Sequence, residues 1–280
     1  MPSLKVESIS RQEGQAGFVL ETKLLTRRFS ALTAVDQLTI SVETGEVFGL
    51  VGPNGAGKTT VIKMLTTLLP PTSGDAFVAG FDIIHQASQV RRVIGYVPQL
   101  LSADGGLTGY ENLLIFAKLY HISRRERDSR IRDALDFMGL SAVSDKLVRN
   151  YSGGMIRRLE IAQAMLHRPR ILFLDEPTIG LDPVARKAVW EHVQRLRSDY
   201  GTTIFLTTHY MDEADQFCSR VGIMHLGKMA AVGTPAQLKE SVGNGATLDD
   251  VFAYYSGYEV ESGGGYREVS RTRRVVRRVG

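Results

Sequence analysis

The sequence predicts an α/β fold: a largely parallel sheet covered by helices, with a helical subdomain inserted partway along the chain. Three observations predict it. Strand-like and helical periods alternate from residue 153 onward, a glycine-rich loop lies between a strand and a helix around residue 55, and residues 108–150 keep a helical period.

Residues 18–25, 38–42 and 46–51 read as strands, broken by polar turns and Gly45. A helix is expected from about 58 to 69, with Pro70 and Pro71 as its stop. Residues 76–79 and 93–97 read as strands, the second ending at Pro98. In the insertion, residues 110–120 place Leu113, Leu114, Phe116, Ala117 and Tyr120 at helical spacing, and residues 129–138 form another amphipathic run before Gly139. The charged run 123–132 reads as a solvated helix face. Helices at 153–167, 184–198 and 211–217 then alternate with strands at 171–174, 203–207 and 221–225. A small element at 248–255 precedes Gly263, Gly264 and Gly265, which read as a flexible linker. No internal repeat is present, so one module is expected: a loose leader at 1–17, a main domain at 18–240 with its helical subdomain at about 100–155, and a C-terminal extension at 241–280.

Composition narrows the function classes. Of 280 residues, 43% are apolar and 23% charged, ordinary for a chain with a sizeable core. No run approaches the roughly 18 apolar residues needed to cross a bilayer. The start of the chain has no apolar signal segment. A single cysteine, Cys218, rules out an internal disulfide and points to a reducing cytoplasm. Net charge is +4, but six arginines and one glutamate in residues 267–280 carry +5, which leaves the body near neutrality. That balance argues against nucleic acid as a partner. The tail reads either as a solvated end or as a contact with anionic inner-leaflet lipid.

The strongest chemical signal is Gly52-Pro53-Asn54-Gly55-Ala56-Gly57-Lys58-Thr59, a match to G-x-x-x-x-G-K-[ST] between a strand and a helix. Such glycines let successive backbone N–H groups converge on phosphate, and the following helix turns its positive end toward it. Lys58 is expected to reach the β- and γ-phosphates, and the Thr59 hydroxyl to ligate Mg²⁺. A second signal is Asp175-Glu176 at the C-terminal end of an apolar strand, the edge where open parallel sheets bind ligands. Asp175 suits the outer shell of Mg²⁺, and Glu176 suits orientation of an attacking water. Between them, Tyr151-Ser152-Gly153-Gly154-Met155 opens a helix.

With these three motifs in that order, residues 18–240 resemble the ATP-binding-cassette ATPases, whose signature is usually Leu-Ser-Gly-Gly-Gln. The resemblance implies a P-loop NTPase fold that adds an antiparallel β subdomain to the parallel sheet and the helical insertion. It implies ATP and Mg²⁺ as cofactors, with Thr60 joining the phosphate-loop residues. By the same likeness, Phe29 would stack on adenine, Gln99 would touch Mg²⁺ and water and couple to a membrane partner, and His209 would contact the γ-phosphate. Ser152, Gly153 and Gly154 would close over the nucleotide of an opposing subunit, and Asp182 would communicate between the two sites. A homodimer, or a pair with a second such ATPase, is implied, working with a separate permease as a peripheral protein on the cytoplasmic membrane face. The Tyr-Ser-Gly-Gly-Met variant, Gly180-Leu181-Asp182-Pro183 and Leu248-Asp249-Asp250-Val251-Phe252 resemble bacterial antibiotic- and multidrug-resistance exporters of the daunorubicin type. A soluble relative acting on ribosomes or DNA is the alternative. Tyr151 and Met155 depart from the usual leucine and glutamine, and Met155 cannot hydrogen-bond as glutamine would.

Overall fold

The computed structural model describes residues 17–256. In chain order the elements are β1 (Phe18–Phe29), β2 (Leu32–Leu38), β3 (Ser41–Glu43), β4 (Val47–Val51), α1 (Lys58–Leu65), β5 (Ser73–Val78), β6 (Phe81–Asp82), α2 (Ala87–Val93) and β7 (Ile94–Val97). There follow α3 (Gly109–Leu119), α4 (Arg124–Phe137), two short 3-10 turns, α5 (Gly153–Met165), β8 (Ile171–Asp175), α6 (Pro183–Tyr200) and β9 (Thr203–Thr208). The chain continues through α7 (Met211–Phe217), β10 (Arg220–His225), β11 (Lys228–Gly233), α8 (Pro235–Val242) and α9 (Leu248–Ser256).

Two sheets result. The larger runs β11-β10-β4-β9-β8-β7, parallel from β10 to β7 and closed at one edge by antiparallel β11. Three of its inner strands, β4, β8 and β9, are buried at every residue, which is why they show no alternation of apolar and charged positions. The smaller sheet, β2-β1-β5-β6 with β3 also on β1, is antiparallel throughout. One apolar cluster joins the large sheet to α3 through α7, and another fills the space between the two sheets around α1. Trp190 of α6 is 1% exposed and stacks on Phe217 of α7, with ring centroids 4.4 Å apart. Its indole N–H has no hydrogen-bond partner among the described residues.

Some local expectations are corrected. The strand expected at 38–42 is two strands, because the chain breaks at Thr39 and Ile40 after Gln37 turns to a φ of +52°. Helix α1 stops at Leu65, short of the prolines: the Thr66 hydroxyl donates to the Ile62 carbonyl at 2.8 Å, and Thr67 adopts φ +64°. Helix α4 begins at Arg124, five residues before the expected start, because the Ser123 side chain caps it by accepting from the Glu126 N–H. Elements α2, β6, β11 and α8 carry no long apolar period and were not expected. The leader at 1–16, the glycine linker and the arginine tail lie outside the described residues.

The C-terminal segment packs back on the large sheet. Capping box Thr234/Gln237 starts α8, and Leu238, Leu248 and Val251 join the main core cluster.

Candidate nucleotide site

The phosphate loop leaves the buried end of β4 and enters α1 at Lys58. Two of its glycines are required by space. A Cβ on Gly52 would overlap the Met224 carbonyl, and one on Gly57, at φ +105°, would overlap the Ala34 carbonyl. Both β10 and β2 therefore press against the loop from outside and hold its backbone in place.

Lys58 is 5% exposed and turns back over the loop, donating to the carbonyls of Gly52 at 2.7 Å and Pro53 at 3.1 Å. It also pairs with Glu176 Oε1 at 3.2 Å. The other carboxylate oxygen of Glu176 accepts from His209 Nδ1 at 2.7 Å. Strand pairing makes this trio possible: β8 and β9 run parallel and in register, so Glu176 and His209 leave adjacent strand ends together. Glu176 then turns at φ +48°, and its N–H is held by the Thr207 carbonyl at 3.1 Å and hydroxyl at 3.0 Å.

Asp175 lies directly behind. One oxygen accepts from Thr59 Oγ1 at 3.1 Å and from Thr207 Oγ1 at 2.7 Å. Burial raises the Asp175 pKa above the ordinary carboxylate value, and the two hydroxyl bonds pull against that rise. Nearby, burial and then the Asp175 charge push the Tyr96 phenol up to about 12. Thr207 was not singled out from sequence; it ties both carboxylate positions to β9, and a threonine inside an apolar strand was the only signal it gave.

Thr59 and Asp175 present hard oxygen donors side by side, and no cluster of three or more His, Cys, Asp or Glu occurs among the described residues. This suits a cation that takes few protein ligands and completes its shell with phosphate and water, as Mg²⁺ does.

The structure thus brings Lys58, Thr59, Asp175, Glu176 and His209 into one hydrogen-bonded cluster. Phe29, Gln99, Ser152 and Asp182 lie outside this hydrogen-bonded cluster. Phe29 ends β1, 42% exposed as a residue, with the Arg27 guanidinium 4.6 Å from its ring centroid. Ser152 caps α5 by accepting from the Met155 N–H, and Asp182 caps α6 by accepting from Val184 and Ala185. These two helix starts touch: a Cβ on Gly154 would sit 2.6 Å from Ala185 Cβ.

Both departures from the usual signature have local reasons. Tyr151 is buried and donates to the Val143 carbonyl at 2.7 Å, which anchors the helical insertion. Met155 is half-buried and packs on the main core. Behind the site, buried Glu213 accepts from Thr178 at 2.7 and 2.9 Å and from Thr208 at 3.2 Å, tying the segment after Glu176 to the strand end before His209.

A phosphate loop at a strand-to-helix turn, a buried acidic strand end and a histidine on the next strand define a P-loop nucleotide hydrolase. Comparison with known proteins narrows the class: residues 35–179 match the ABC transporter family, and the chain belongs to it. It is 45% identical over 225 residues to the daunorubicin/doxorubicin resistance ATP-binding protein DrrA of Streptomyces peucetius, covering 80% of this chain and 68% of that one. It is 40% identical over 233 residues to the probable multidrug ABC transporter ATP-binding protein YbhF of Escherichia coli, covering 83% of this chain and 40% of YbhF. Among solved structures, that of an ATP binding subunit of an ABC transporter superposes with a TM-score of 0.76 at 31% identity, covering 85% of this chain and 99% of that one. The chain is therefore an ATP-binding and ATP-hydrolysing subunit of an ABC transporter. Like the family in general it works with a membrane permease and dimerises. No helix among the described residues is long and apolar enough to cross a membrane.

Proposed function

We propose that two copies of this chain enclose two ATP molecules head to tail and power the export of a drug-like, antibiotic or lipid-like cargo through a separate permease at the cytoplasmic membrane face. The cargo class rests on likeness to the resistance proteins. The observation that carries the chemistry is the Lys58–Glu176–His209 chain of contacts beside Asp175.

In this reading the phosphate-loop amides from Gly52 to Thr60 cradle the phosphates, and Lys58 exchanges its loop carbonyls and Glu176 for phosphate oxygens. Release of Lys58 frees Glu176 Oε1 to accept a proton from, and so orient, the attacking water. His209 fixes the other oxygen of Glu176 and faces the γ-phosphate. Thr59 and Asp175 would hold Mg²⁺, with Gln99 of the segment after β7 beside them, and the cation would supply positive charge to the phosphate oxygens. Phe29 stacks on the adenine. Ser152, Gly153 and Gly154 of one copy offer the positive start of α5 to the γ-phosphate held by the other, and Asp182 carries contact between the two sites.

Mixed dimers test the head-to-tail arrangement. Copies carrying Lys58→Ala and copies carrying Ser152→Ala are each expected to be nearly inactive. When co-expressed with different tags and purified through both, they form dimers with one site built from undamaged halves, and hydrolysis is expected to return. If doubly tagged dimers form but stay inactive, each site is complete within one chain and the proposal fails. For the export reading, co-purification of a polytopic membrane protein is expected; ribosomes or DNA in its place would overturn it.

A further inference from the structure

The segment from Pro98 to Ala103 has no regular secondary structure, yet it carries Gln99 and then two outward leucines, Leu100 and Leu101. Its two ends are gripped by one buried ion pair on α5. Arg157, 2% exposed, donates from Nη1 to the Pro98 carbonyl at 2.6 Å and from Nη2 to the Gln99 carbonyl at 2.7 Å. One turn along the same helix, Glu160 Oε1 accepts from the Ser102 N–H, from Ser102 Oγ at 3.1 Å and from the Ala103 N–H at 3.3 Å. Arg157 and Glu160 pair with each other at 3.0 Å. Polarity is matched at both ends: the cation takes the carbonyls and the anion takes the amides.

A buried charge pair is weak evidence for stability, since apolar residues of similar size often serve as well. What this pair does that apolar residues could not is fix a loop mainly by its backbone: four of its five bonds go to main-chain groups, and only the one from Ser102 Oγ uses a loop side chain. The helix that bears it opens with Ser152, and Arg157 lies about one turn beyond Gly153.

We propose that Arg157 and Glu160 are positioning residues that lock the segment 98–103 to α5, so that the signature at one ATP site and Gln99 at the other move together. The proposal rests on the two-copy reading above, in which α5 faces the partner's nucleotide while Gln99 faces its own. A tilt of α5 on closing over the partner's phosphate is transmitted to the backbone at 98–99 and 102–103, and the two sites of the dimer sense each other through each subunit.

The test uses the full chain and three measurements: nucleotide-dependent dimerisation by light scattering, the Hill coefficient and kcat of ATP hydrolysis, and amide hydrogen exchange across 98–103. The double variant Arg157→Met/Glu160→Leu removes both grips at similar volume. The control is Arg158→Met, whose arginine donates to the Met138 carbonyl at 2.7 Å, away from the segment. Wild-type protein is expected to dimerise with a Hill coefficient between about 1 and 2, the range two coupled sites allow. The double variant is expected to keep KM within about twofold, to fall to a Hill coefficient near 1 with roughly tenfold lower kcat, and to exchange at Ser102 and Ala103 without response to nucleotide. The control is expected to match wild type. If the double variant fails to fold, Arg157→Lys replaces it: lysine keeps the charge beside Glu160 but lacks a fork to span two carbonyls, and the same loss of cooperativity is expected. A folded variant with wild-type cooperativity and nucleotide-responsive exchange overturns the link alone. A wild-type protein that stays monomeric with saturating nucleotide overturns the two-copy reading and the link with it.

Discussion

Replacing Glu176 by glutamine isolates the chemistry with little change of shape. Glu176 is 6% exposed and touches Lys58 at 3.2 Å through one oxygen and His209 at 2.7 Å through the other. Glutamine keeps the volume and one oxygen, so His209 Nδ1 still finds an acceptor. Lys58 retains its bonds to the Gly52 and Pro53 carbonyls at 2.7 and 3.1 Å until phosphate arrives. Nucleotide affinity is therefore expected to stay the same or tighten, because a competing carboxylate charge has left Lys58. What is lost is the proton acceptor for the attacking water, a contribution of roughly 10²–10⁴-fold, or about 3–5 kcal/mol of transition-state stabilisation. Phosphate release at saturating Mg-ATP measures the turnover, and light scattering measures the dimer that accumulates when hydrolysis is blocked. Turnover within tenfold of wild type would refute the role of Glu176 as the base and require another group to take the proton.

Two further outcomes follow from single contacts. Phe29→Ala removes an exposed ring at the end of β1, and nucleotide affinity is expected to fall roughly 5- to 150-fold, the value of about 1–3 kcal/mol of base stacking, with Phe29→Tyr close to wild type; equilibrium titration with a fluorescent ATP analogue checks it. His167 stacks on Tyr120 with centroids 3.7 Å apart and bonds the Ile94 carbonyl through Nε2 at 2.8 Å, and its burial lowers its pKa below the ordinary 6.5. The unfolded chain then binds the extra proton more readily, so this stabilisation is complete above pH about 6.5 and is lost as pH falls below it toward the folded-state pKa. His167→Gln keeps a donor for Ile94 without the titration, and its melting temperature is expected to drop less between pH 7.5 and 5.5 than that of wild type.

Legibility in the sequence followed burial. Strands β4, β8 and β9 bury every residue, so β-branched and apolar residues with no exposed polar alternation marked each of them within a residue or so. Helix α2 buries only Val90 and strand β11 lies at an edge, so neither left a period to read. The end of α1 falls short of the prolines because Thr67 turns to φ +64°, just after the Thr66 hydroxyl bonds the Ile62 carbonyl, and neither threonine announces this in sequence. At the site, residues that form a contiguous motif, from Gly52 to Thr59 and at Asp175 and Glu176, could be singled out by their spacing. Thr207 and Glu213 could not: their importance arises from strands and helices brought together by the fold, and neither residue type is unusual where it stands. Arg157 and Glu160 were visible only as ordinary charged positions of a helix, and their burial against the loop before the insertion is a property of three dimensions.

Trp190 has a practical consequence. It is the chain's single tryptophan, so intrinsic indole emission comes from one spot, a dry stack against Phe217 two turns into the helix that Asp182 caps. Emission from such an apolar setting should be blue-shifted. Any rocking of α6 against α7 during the nucleotide cycle would change ring overlap and alter that light in real time, offering stopped-flow kinetics without an attached dye.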